Sequence, residues 1–260
     1  MEDMFDLDGK VALVTGGGQG VGREAALRLA AHGALVAVND FHEERALAVA
    51  AEIASAGGRA VGVAGDVSDF AAVKDMAQGV DAALGPVDIL INNAGNAGPE
   101  AIGDLPKFWE TDPTEWRRWM GTNLYGVMNC SHAVLPSMIA RQTGRIVTVI
   151  SDAGRIGDAN YVVYSGAKSG AAGFMRGLAR AVGRYNIGVN CVSLAAIETP
   201  GLAARLEDPD RRRKILGNYV LRRLGQPSDA ANAILFLASA ASSWVTGQTY
   251  AVNGGYAFSA

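Results

Sequence analysis

The sequence predicts an α/β protein with a doubly wound, parallel, seven-stranded sheet and helices on both faces. Short runs rich in Val, Ile and Leu alternate with longer Ala-rich segments along the 260 residues. The first six runs lack in/out alternation, which is typical of parallel strands covered on both faces. A glycine-rich turn follows the first run. Because strand–helix alternation implies right-handed crossovers, we expect the strand order 3-2-1-4-5-6-7, with a ligand at the carboxyl ends of the strands near the 1/4 switch point.

The boundaries of the elements follow from these runs. The predicted strands are Val11–Thr15, Leu35–Asn39, Ala60–Ala64, Ile89–Asn92, Arg145–Ile150, Gly188–Val192 and Gln248–Val252. The predicted helices are Arg23–His32, Glu43–Ala56, Phe70–Ala83, Thr114–Arg141 and Tyr161–Arg184. Pro136 lies inside the fourth helix, where it predicts a kink or an early end, because proline lacks a backbone N–H and its ring clashes with the preceding turn.

Composition and charge exclude several functional classes. An apolar content of 49% over this length is enough for one large core, so we expect a single domain over residues 1–260. The net charge of −3 does not favour binding to nucleic acid, which is itself negatively charged. The acidic N-terminus lacks the features of a signal peptide and no long apolar stretch occurs, so we expect a cytoplasmic protein without a membrane partner. Cys130 and Cys191 are too few for a disulfide scaffold.

The glycines after the first strand predict a phosphate-binding loop. They follow an apolar strand and precede an Ala-rich helix, the context in which a glycine fingerprint is credible. Glycine lets backbone N–H groups approach a pyrophosphate, and the helix N-terminus adds a positive dipole end. The predicted cofactor contacts in this loop are Gly16, Gln19, Gly20, Val21 and Gly22.

Asp40 indicates which dinucleotide the loop serves. It ends the second strand, near the spacing of about 20 residues at which an acid accepts hydrogen bonds from the adenine ribose and repels a 2′-phosphate. Phe41 and His42, which follow it, and Gln19 in the loop offer no fixed cation for such a phosphate. The sequence therefore favours NAD over NADP. Asp40 is also placed to cap the helix that begins near His42.

Tyr164, Lys168 and Ser151 predict hydride-transfer chemistry. An alcohol gives up hydride only as its hydroxyl proton leaves, and a tyrosine base active at neutral pH needs its pKa lowered by roughly 3 units, about 4 kcal/mol. An ammonium about 4 Å away supplies up to roughly 4 kcal/mol at an effective dielectric near 20. Residues i and i+4 share one helix face, so Lys168 is placed beside the phenol. A serine hydroxyl can hold the substrate oxygen as charge develops on it.

Taken together, these motifs resemble those of the short-chain dehydrogenases/reductases in their form of roughly 250 residues. Further matches are Gly65-Asp66-Val67, Asn92-Asn93-Ala94-Gly95, Asn123 in Thr-Asn-Leu-Tyr-Gly, residues 223–227, and residues 246–255. The resemblance implies a Rossmann-like fold that binds cofactor through these residues: Asp66, Val67, Asn92, Ala94, Gly95, Tyr164, Lys168, Ile197 and Thr199. Where the family usually has Pro-Gly after strand six, this chain has Leu194-Ala195, so we expect the turn there to differ.

The resemblance also assigns catalytic roles. Tyr164 would be the general base or acid, and Lys168 would lower its pKa and hold the nicotinamide ribose. Ser151 would orient the substrate oxygen, and Asn123 would support a water chain that relays the proton. The implied partner is a small alcohol or ketone, and the implied assembly is a homotetramer built on the fourth and fifth predicted helices.

Other readings remain open. We expect a substrate lid at about residues 198–220, with Arg155, Asp158 and Asn160 helping to set specificity. Rival functions are an NADPH-dependent 3-oxoacyl thioester reductase and a dinucleotide-sensing protein without catalysis. A hydrolase triad built on Ser151 and Asp152, or a zinc site, is weakly supported because no histidine is suitably spaced. For the tryptophans Trp109, Trp116 and Trp119 we expect a core or interface role.

Overall fold

The sheet has seven parallel strands in the order β3-β2-β1-β4-β5-β6-β7, as predicted. The computed structural model describes residues 3–95, 106–198 and 208–258. The strands are β1 (Val11–Val14), β2 (Leu35–Asp40), β3 (Ala60–Ala64), β4 (Ile89–Asn92), β5 (Gly144–Ser151), β6 (Ile187–Leu194) and β7 (Thr249–Val252). Strand β1 pairs with both β2 and β4, so the chain reverses its direction of growth between β1 and β4.

Helices connect the strands, and four of the five predicted helices lie within a few residues of their predicted bounds. They are α1 (Gly20–Ala31), α2 (Glu43–Ser55), α3 (Phe70–Leu84), α4 (Trp116–Met120), α5 (Gly126–Arg141), α6 (Ala153–Ile156), α7 (Val162–Val182), α8 (Pro209–Leu216) and α9 (Pro227–Ala238). Short 3₁₀ turns occupy Phe108–Glu110, Gly183–Tyr185 and Ala240–Ser242. Among the described residues, no helix is long and apolar enough to cross a membrane.

Each face of the sheet has its own apolar core. Successive side chains of a strand point to opposite faces, so Ala12 and Val14 join the first core while Val11 and Leu13 join the second. The first core includes residues of α1, α2 and α9, and the second includes residues of α3, α5 and α7. This double coverage explains why the central strands are apolar at consecutive positions.

The fourth predicted helix differs from expectation in two ways. A π-helical turn, Gly121–Tyr125, separates α4 from α5. The early end predicted at Pro136 is wrong, because α5 continues through it to Arg141. Pro136 and His132, whose carbonyl loses its helical partner, are both exposed, so water can satisfy that carbonyl.

Helix α9 was not predicted, although its start carries a clear signal. Pro227 occupies the first turn, and the Asp229 carboxylate accepts a hydrogen bond of 2.8 Å from the backbone N–H of Gln226. A proline in the first helical turn followed by a reciprocal cap marks a helix N-terminus. The helix buries six apolar residues against the first core.

Candidate active site

The glycine loop runs too close to neighbouring backbone to hold side chains. A Cβ built on Gly22 would lie 2.2 Å from the carbonyl oxygen of Gly16 and 2.4 Å from Nδ2 of Asn93. Gly16 has a φ of +59° and Gly20 one of +55°, in the left-handed region that favours glycine. Gln19 precedes α1 in an extended conformation and adds no side-chain cap to the helix. The first N–H groups of α1 therefore face the loop without an intrahelical partner, as a phosphate site requires.

Asn93 fixes this loop to the end of β4. Its side-chain amide donates hydrogen bonds to the carbonyl oxygens of Thr15 (3.1 Å) and Gly16 (2.9 Å). In return, the Thr15 hydroxyl oxygen accepts from the backbone N–H groups of Asn93 and Ala94, each at 3.1 Å. The loop and the segment that leads to Gly95 are thereby held as one unit at the carboxyl edge of the sheet.

The side chain of Asn92 has a structural role. It is buried and donates to the hydroxyls of Ser131 (3.4 Å) and Thr148 (3.2 Å). It therefore ties β4 to α5 and β5, and a cofactor contact from Asn92 remains a prediction for its backbone atoms only.

The Asp40 carboxylate lies directly under the glycine loop. One oxygen accepts from the Gly18 backbone N–H and the other from the His42 backbone N–H, each at 3.1 Å. The second of these bonds lies at the start of α2, so Asp40 braces both the loop and the helix entry. A Cβ on Gly18 would lie 2.7 Å from Asp40 Oδ2 and 2.5 Å from Cβ of Arg45. The side chain of Arg45 therefore begins close to Gly18 and Asp40. The residues next to Asp40 in the sequence did not reveal this basic side chain.

Asp66 and Val67 follow β3 at the same edge of the sheet. The Asp66 carboxylate accepts from the backbone N–H and the hydroxyl of Ser68, both at 2.8 Å. Val67 is buried against Gly126, where an added Cβ would lie 2.7 Å from the valine side chain. The carbonyl of Val67 accepts a 2.9 Å hydrogen bond from the Asn129 amide. This turn is therefore well fixed at the place where the resemblance expects the adenine.

The predicted catalytic residues come together from three elements. Ser151 ends β5, Tyr164 and Lys168 lie one turn apart on α7, and Asn123 is buried in the π-helical turn. The Ser151 hydroxyl accepts a hydrogen bond of 3.2 Å from the Ala153 backbone N–H and lies close enough to the Tyr164 phenol to favour its ionised form. A Cβ on Gly95 would be 3.3 Å from both Asn123 Oδ1 and Lys168 Nζ, so these two polar atoms flank the same glycine.

The π-helical turn explains the orientation of Asn123. Its amide donates a 2.9 Å hydrogen bond to the Trp119 carbonyl, one turn back. Single π-helical turns inside α-helices often occur at functional sites, because they re-aim side chains. Here the turn directs Asn123 towards Gly95 and Lys168, away from the regular path of the helix.

Burial governs the protonation of both α7 residues. The pKa of Tyr164 is raised, first because burial disfavours the phenolate; the Ser151 hydrogen bond opposes this effect and the neighbouring Tyr161 adds to it. Burial lowers the pKa of Lys168 to about 8. The Lys168 ammonium donates to the Val149 carbonyl at 2.9 Å and lies 5.8 Å from the centre of the Tyr164 ring. The expected lowering of the Tyr164 pKa by Lys168 is therefore not found, because burial of the phenol raises this pKa.

The nicotinamide-side contacts are only partly described. Ile197 forms an isolated parallel bridge with Gly225. The backbone N–H of Ala196 donates a hydrogen bond of 3.2 Å to the Tyr219 hydroxyl. This bond holds the turn that begins at Leu194-Ala195. Thr199 and the rest of residues 199–207 of the predicted lid lie outside the described residues, and α8 lies in the part of the lid that is described.

Asp152, next to the candidate catalytic serine, holds a buried network that the sequence did not reveal. Its carboxylate accepts from Arg155 (2.8 Å), Ser193 (2.7 Å) and Asn253 (2.6 Å). These bonds join the ends of β5 and β6 to the segment after β7. Because the carboxylate is engaged there, a hydrolase triad through Asp152 is not supported. Among the described residues, no cluster of three or more potential metal ligands is present.

An aromatic cleft opens beside Tyr164. The side chains of Trp119, Tyr161 and Tyr164 make mutual edge-to-face contacts, and Phe108 stacks on Trp116. These five residues line one cleft. A core or interface role was expected for the tryptophans. Trp116 and Trp119 are instead half-buried and line a cleft, and Trp109 is 77% exposed.

Comparisons with known proteins agree with this geometry. A family model described as enoyl-(acyl carrier protein) reductase matches residues 16–257. The 7alpha-hydroxysteroid dehydrogenase of Escherichia coli K12 is 38% identical over 253 residues, which cover 97% of this chain and 96% of that protein. The (2S)-[(R)-hydroxy(phenyl)methyl]succinyl-CoA dehydrogenase subunit BbsD of Thauera aromatica is 39% identical over 96% of this chain and 97% of its own. The 3-oxoacyl-[acyl-carrier-protein] reductase FabG of Escherichia coli K12 is 37% identical, with coverage of 96% and 98%.

Solved structures show the same fold. A 7 alpha-hydroxysteroid dehydrogenase complexed with NADH and 7-oxo glycochenodeoxycholic acid superposes with a TM-score of 0.90 at 36% identity, covering 98% of each chain. A gluconate 5-dehydrogenase from Burkholderia cenocepacia in complex with NADP and tartrate gives a TM-score of 0.90 at 33% identity, with coverage of 98% and 97%. The chain therefore belongs to the short-chain dehydrogenase/reductase family and is an oxidoreductase of CH–OH groups that uses a nicotinamide dinucleotide.

Proposed function

We propose that this enzyme interconverts a secondary alcohol and a ketone with NAD as its cofactor. The neighbouring hydroxyls of Ser151 and Tyr164, beside the buried Lys168 ammonium, carry the proposal. The pair offers an adjacent donor and acceptor for one substrate oxygen, which is the arrangement that proton transfer to or from an alcohol requires. The same group of residues argues against the alternative of a dinucleotide-sensing protein without catalytic activity.

Each residue has a defined task in this proposal. Tyr164 exchanges the proton with the substrate oxygen, and Ser151 donates a hydrogen bond to that oxygen. Burial raises the pKa of Tyr164 and keeps the phenol protonated at neutral pH, which suits it to protonate a ketone. Lys168 supplies a buried positive charge close to the phenol, and Asn123 holds polar groups next to Lys168 for relay of the proton to solvent.

The glycine loop and its surroundings fit a dinucleotide. The positions where a Cβ would collide with backbone, Gly16 and Gly22, form the cradle for the pyrophosphate at the start of α1. Asp40 lies beneath the loop at the place for the adenine ribose, and Asp66 and Val67 follow on the next strand. When bound, NAD would accept hydride from the carbinol carbon or return it.

The Tyr164→Phe variant tests the proposed reaction. We expect turnover to fall by about 10²–10⁴-fold, because the general acid–base group is lost. The Kd for NAD should stay nearly unchanged, since phenylalanine keeps the ring contacts with Trp119 and Tyr161. Tyr250→Phe is the matched control, because it also removes one phenol hydroxyl but lies on β7. Substantial residual activity in Tyr164→Phe would refute the assigned base.

An NADPH-dependent 3-oxoacyl thioester reductase is the alternative. Its support is the 37% identity to FabG and the closeness of the Arg45 Cβ to Gly18, whose backbone N–H donates to the Asp40 carboxylate. A guanidinium there has the charge that a 2′-phosphate needs. Two measurements separate the candidates: the ratio of KM values for NADH and NADPH, and turnover of an acetoacetyl thioester against that of a simple ketone.

The assembly and location follow from the same reasoning. We propose a homotetramer in which α5 and α7 pair with their copies. The support is the open surface at Gly166 and Gly177 on α7, where no heavy atom lies within 4 Å of a built Cβ.

We also propose a cytoplasmic location, supported by the buried free thiols of Cys130 and Cys191. Fractionation of cells that express the chain would test the location.

A further inference from the structure

Five of the twelve described residues that line the cleft beside Tyr164 are aromatic, and four more are Pro, Ala or Val. Phe108 and Trp116 stack with ring centres 5.3 Å apart and planes 22° apart. On the other side, Trp119 meets Tyr161 at 6.2 Å and Tyr164 at 5.6 Å, both edge-to-face. The indole N–H of Trp116 donates to the Thr111 hydroxyl at 2.9 Å, so the polar edge of that ring is already satisfied. The rings therefore offer the cleft apolar and quadrupolar surface.

The charge of the cleft limits what it can bind. Among the described residues that line it, Glu115 is the one ionisable carboxylate, and none is Lys or Arg. An anionic group inside the cleft would thus meet a negative charge and ring faces that repel it, with no cation to compensate. Glu115 is exposed and shares the lining with Asn160, so polar groups are few. A neutral occupant is indicated.

The cleft is open to solvent on one side. Its space is about 440 Å³, counting that open part. A flat ring can therefore lie against the aromatic side chains of the wall with its substituents directed towards the mouth. Because Tyr164 contributes both to the cleft and to the hydroxyl pair with Ser151, a ring in the cleft lies next to the carbon whose oxygen meets that pair.

We propose that the substrate is an uncharged secondary alcohol or ketone with an aromatic ring on the carbinol carbon. This inference rests on the proposed function and adds its substrate class. The flat ring enters between the stacked pair Phe108–Trp116 and the edge-to-face group that contains Tyr164. Aromatic contacts of this kind favour an aryl ring over a saturated ring of the same size.

The first test compares matched substrates with the unmodified enzyme. We expect kcat/KM for 1-phenylethanol to exceed that for 1-cyclohexylethanol by about threefold to tenfold, as aromatic pairing predicts. We expect 3-hydroxybutyrate, which replaces the ring with a charged carboxylate, to be the poorest of the three. Equal rates for the two ring alcohols, or a preference for the carboxylate, would overturn the proposal while leaving the oxidoreductase assignment intact.

The second test uses a pair of tryptophan variants. Trp116→Leu should abolish the preference for the phenyl compound, whereas Trp109→Leu should keep it, because Trp109 lies in the same segment but does not line the cleft. Thermal melts establish that both variants fold. If Trp116→Leu retains the full phenyl preference, the cleft is not the ring site.

Binding without turnover separates the two proposals. Acetophenone and cyclohexyl methyl ketone are titrated against the protein and followed by ligand-observed NMR. Binding of acetophenone that is stronger than that of the saturated ketone and is lost in Trp116→Leu, together with no turnover of any alcohol, supports the ring site and refutes the proposed function. Turnover of alcohols with equal binding of both ketones supports the function and refutes the ring site.

Discussion

Lys168 carries its charge where water hardly reaches. The residue is 4% exposed, and its ammonium bonds to a strand carbonyl, not to a carboxylate. Burial without a counter-ion disfavours the protonated form. The chain therefore bears a cost in stability at this position, which its proposed part in catalysis would explain.

This cost predicts an unusual dependence of stability on pH. The pKa of Lys168 falls from 10.5 to about 8 on folding, so between these values the unfolded chain holds more protons than the folded one. The free energy of unfolding must then rise with pH across that window. Relative to Lys168→Met, the wild type should gain about 2 kcal/mol between pH 7 and 9.5, at about 1.36 kcal/mol per unit inside the window.

Urea denaturation at several pH values measures this difference. Lys74→Met is the control, since Lys74 is exposed on α3 and no comparable trend is expected there. A difference between wild type and Lys168→Met that does not change with pH would contradict the shifted pKa. At more alkaline pH the raised pKa of Tyr164 acts in the opposite direction, so the measurement stops below pH 10.

Asp40 is predicted to set the choice of dinucleotide through its charge. Asp40→Asn removes the charge but keeps one oxygen as an acceptor for the backbone N–H of Gly18 or His42. We expect the ratio of Kd values for NADP and NAD to fall by about tenfold, the effect of roughly 1.4 kcal/mol of lost repulsion. Asp40→Ala should in addition weaken the binding of both dinucleotides, because it removes the acceptor for Gly18 in the loop and the acceptor for His42 at the start of α2.

Arg45 provides the complementary variant. If its guanidinium assists NADP binding, Arg45→Ala in the Asp40→Asn background should restore part of the preference for NAD. Fluorescence titration with each dinucleotide measures these constants. Unchanged selectivity in Asp40→Asn would count against the assignment of NAD.

At the scale of elements, the sequence predicted best what depends on consecutive residues. The central strands were found because apolar residues follow one another without alternation, a pattern that double coverage requires. The breaks between elements were predicted less well. The π-helical turn at Gly121–Tyr125 has no local signature, because it arises from how Asn123 packs against Trp119 and Gly95.

The candidate site divides in the same way. Spacing in the sequence brought Tyr164 and Lys168 to one helix face and Ser151 to a strand end, and the structure has them there. The pKa of Tyr164 was not predictable, because the degree of burial depends on residues far away in the chain. The aromatic cleft also needs two segments, around Trp116 and around Tyr161, whose contact no local pattern records.

At the scale of the whole molecule, two cores on one sheet leave a face of α7 uncovered. Gly166 and Gly177 lie on that face, and Tyr125 before α5 is 53% exposed. Glycines in a helix cost about 1 kcal/mol each relative to alanine, so an open glycine face is unfavourable unless another backbone approaches it closely. A second copy of the chain meets this need in the proposed tetramer.

Light scattering after size-exclusion chromatography tests the assembly. We expect a mass of about four times the 27.0 kDa of one chain. Gly177→Arg should reduce the mass, because its long side chain separates the paired helices. Gly79→Arg on α3 is the control, since Gly79 also has open space around it and should leave the mass unchanged. A monomeric wild type would refute the tetramer.

The bond between Asn253 and Asp152 has a consequence for how the enzyme matures. It joins a residue just beyond the last strand to Asp152, which is next to Ser151 and 101 positions earlier, so the hydrogen bonds of Asp152 are complete only when the C-terminal segment has docked. A chain that is still being synthesised, or one that is cut shortly before Asn253, would contain all the proposed catalytic residues. It would lack the hydrogen bond from Asn253 to Asp152.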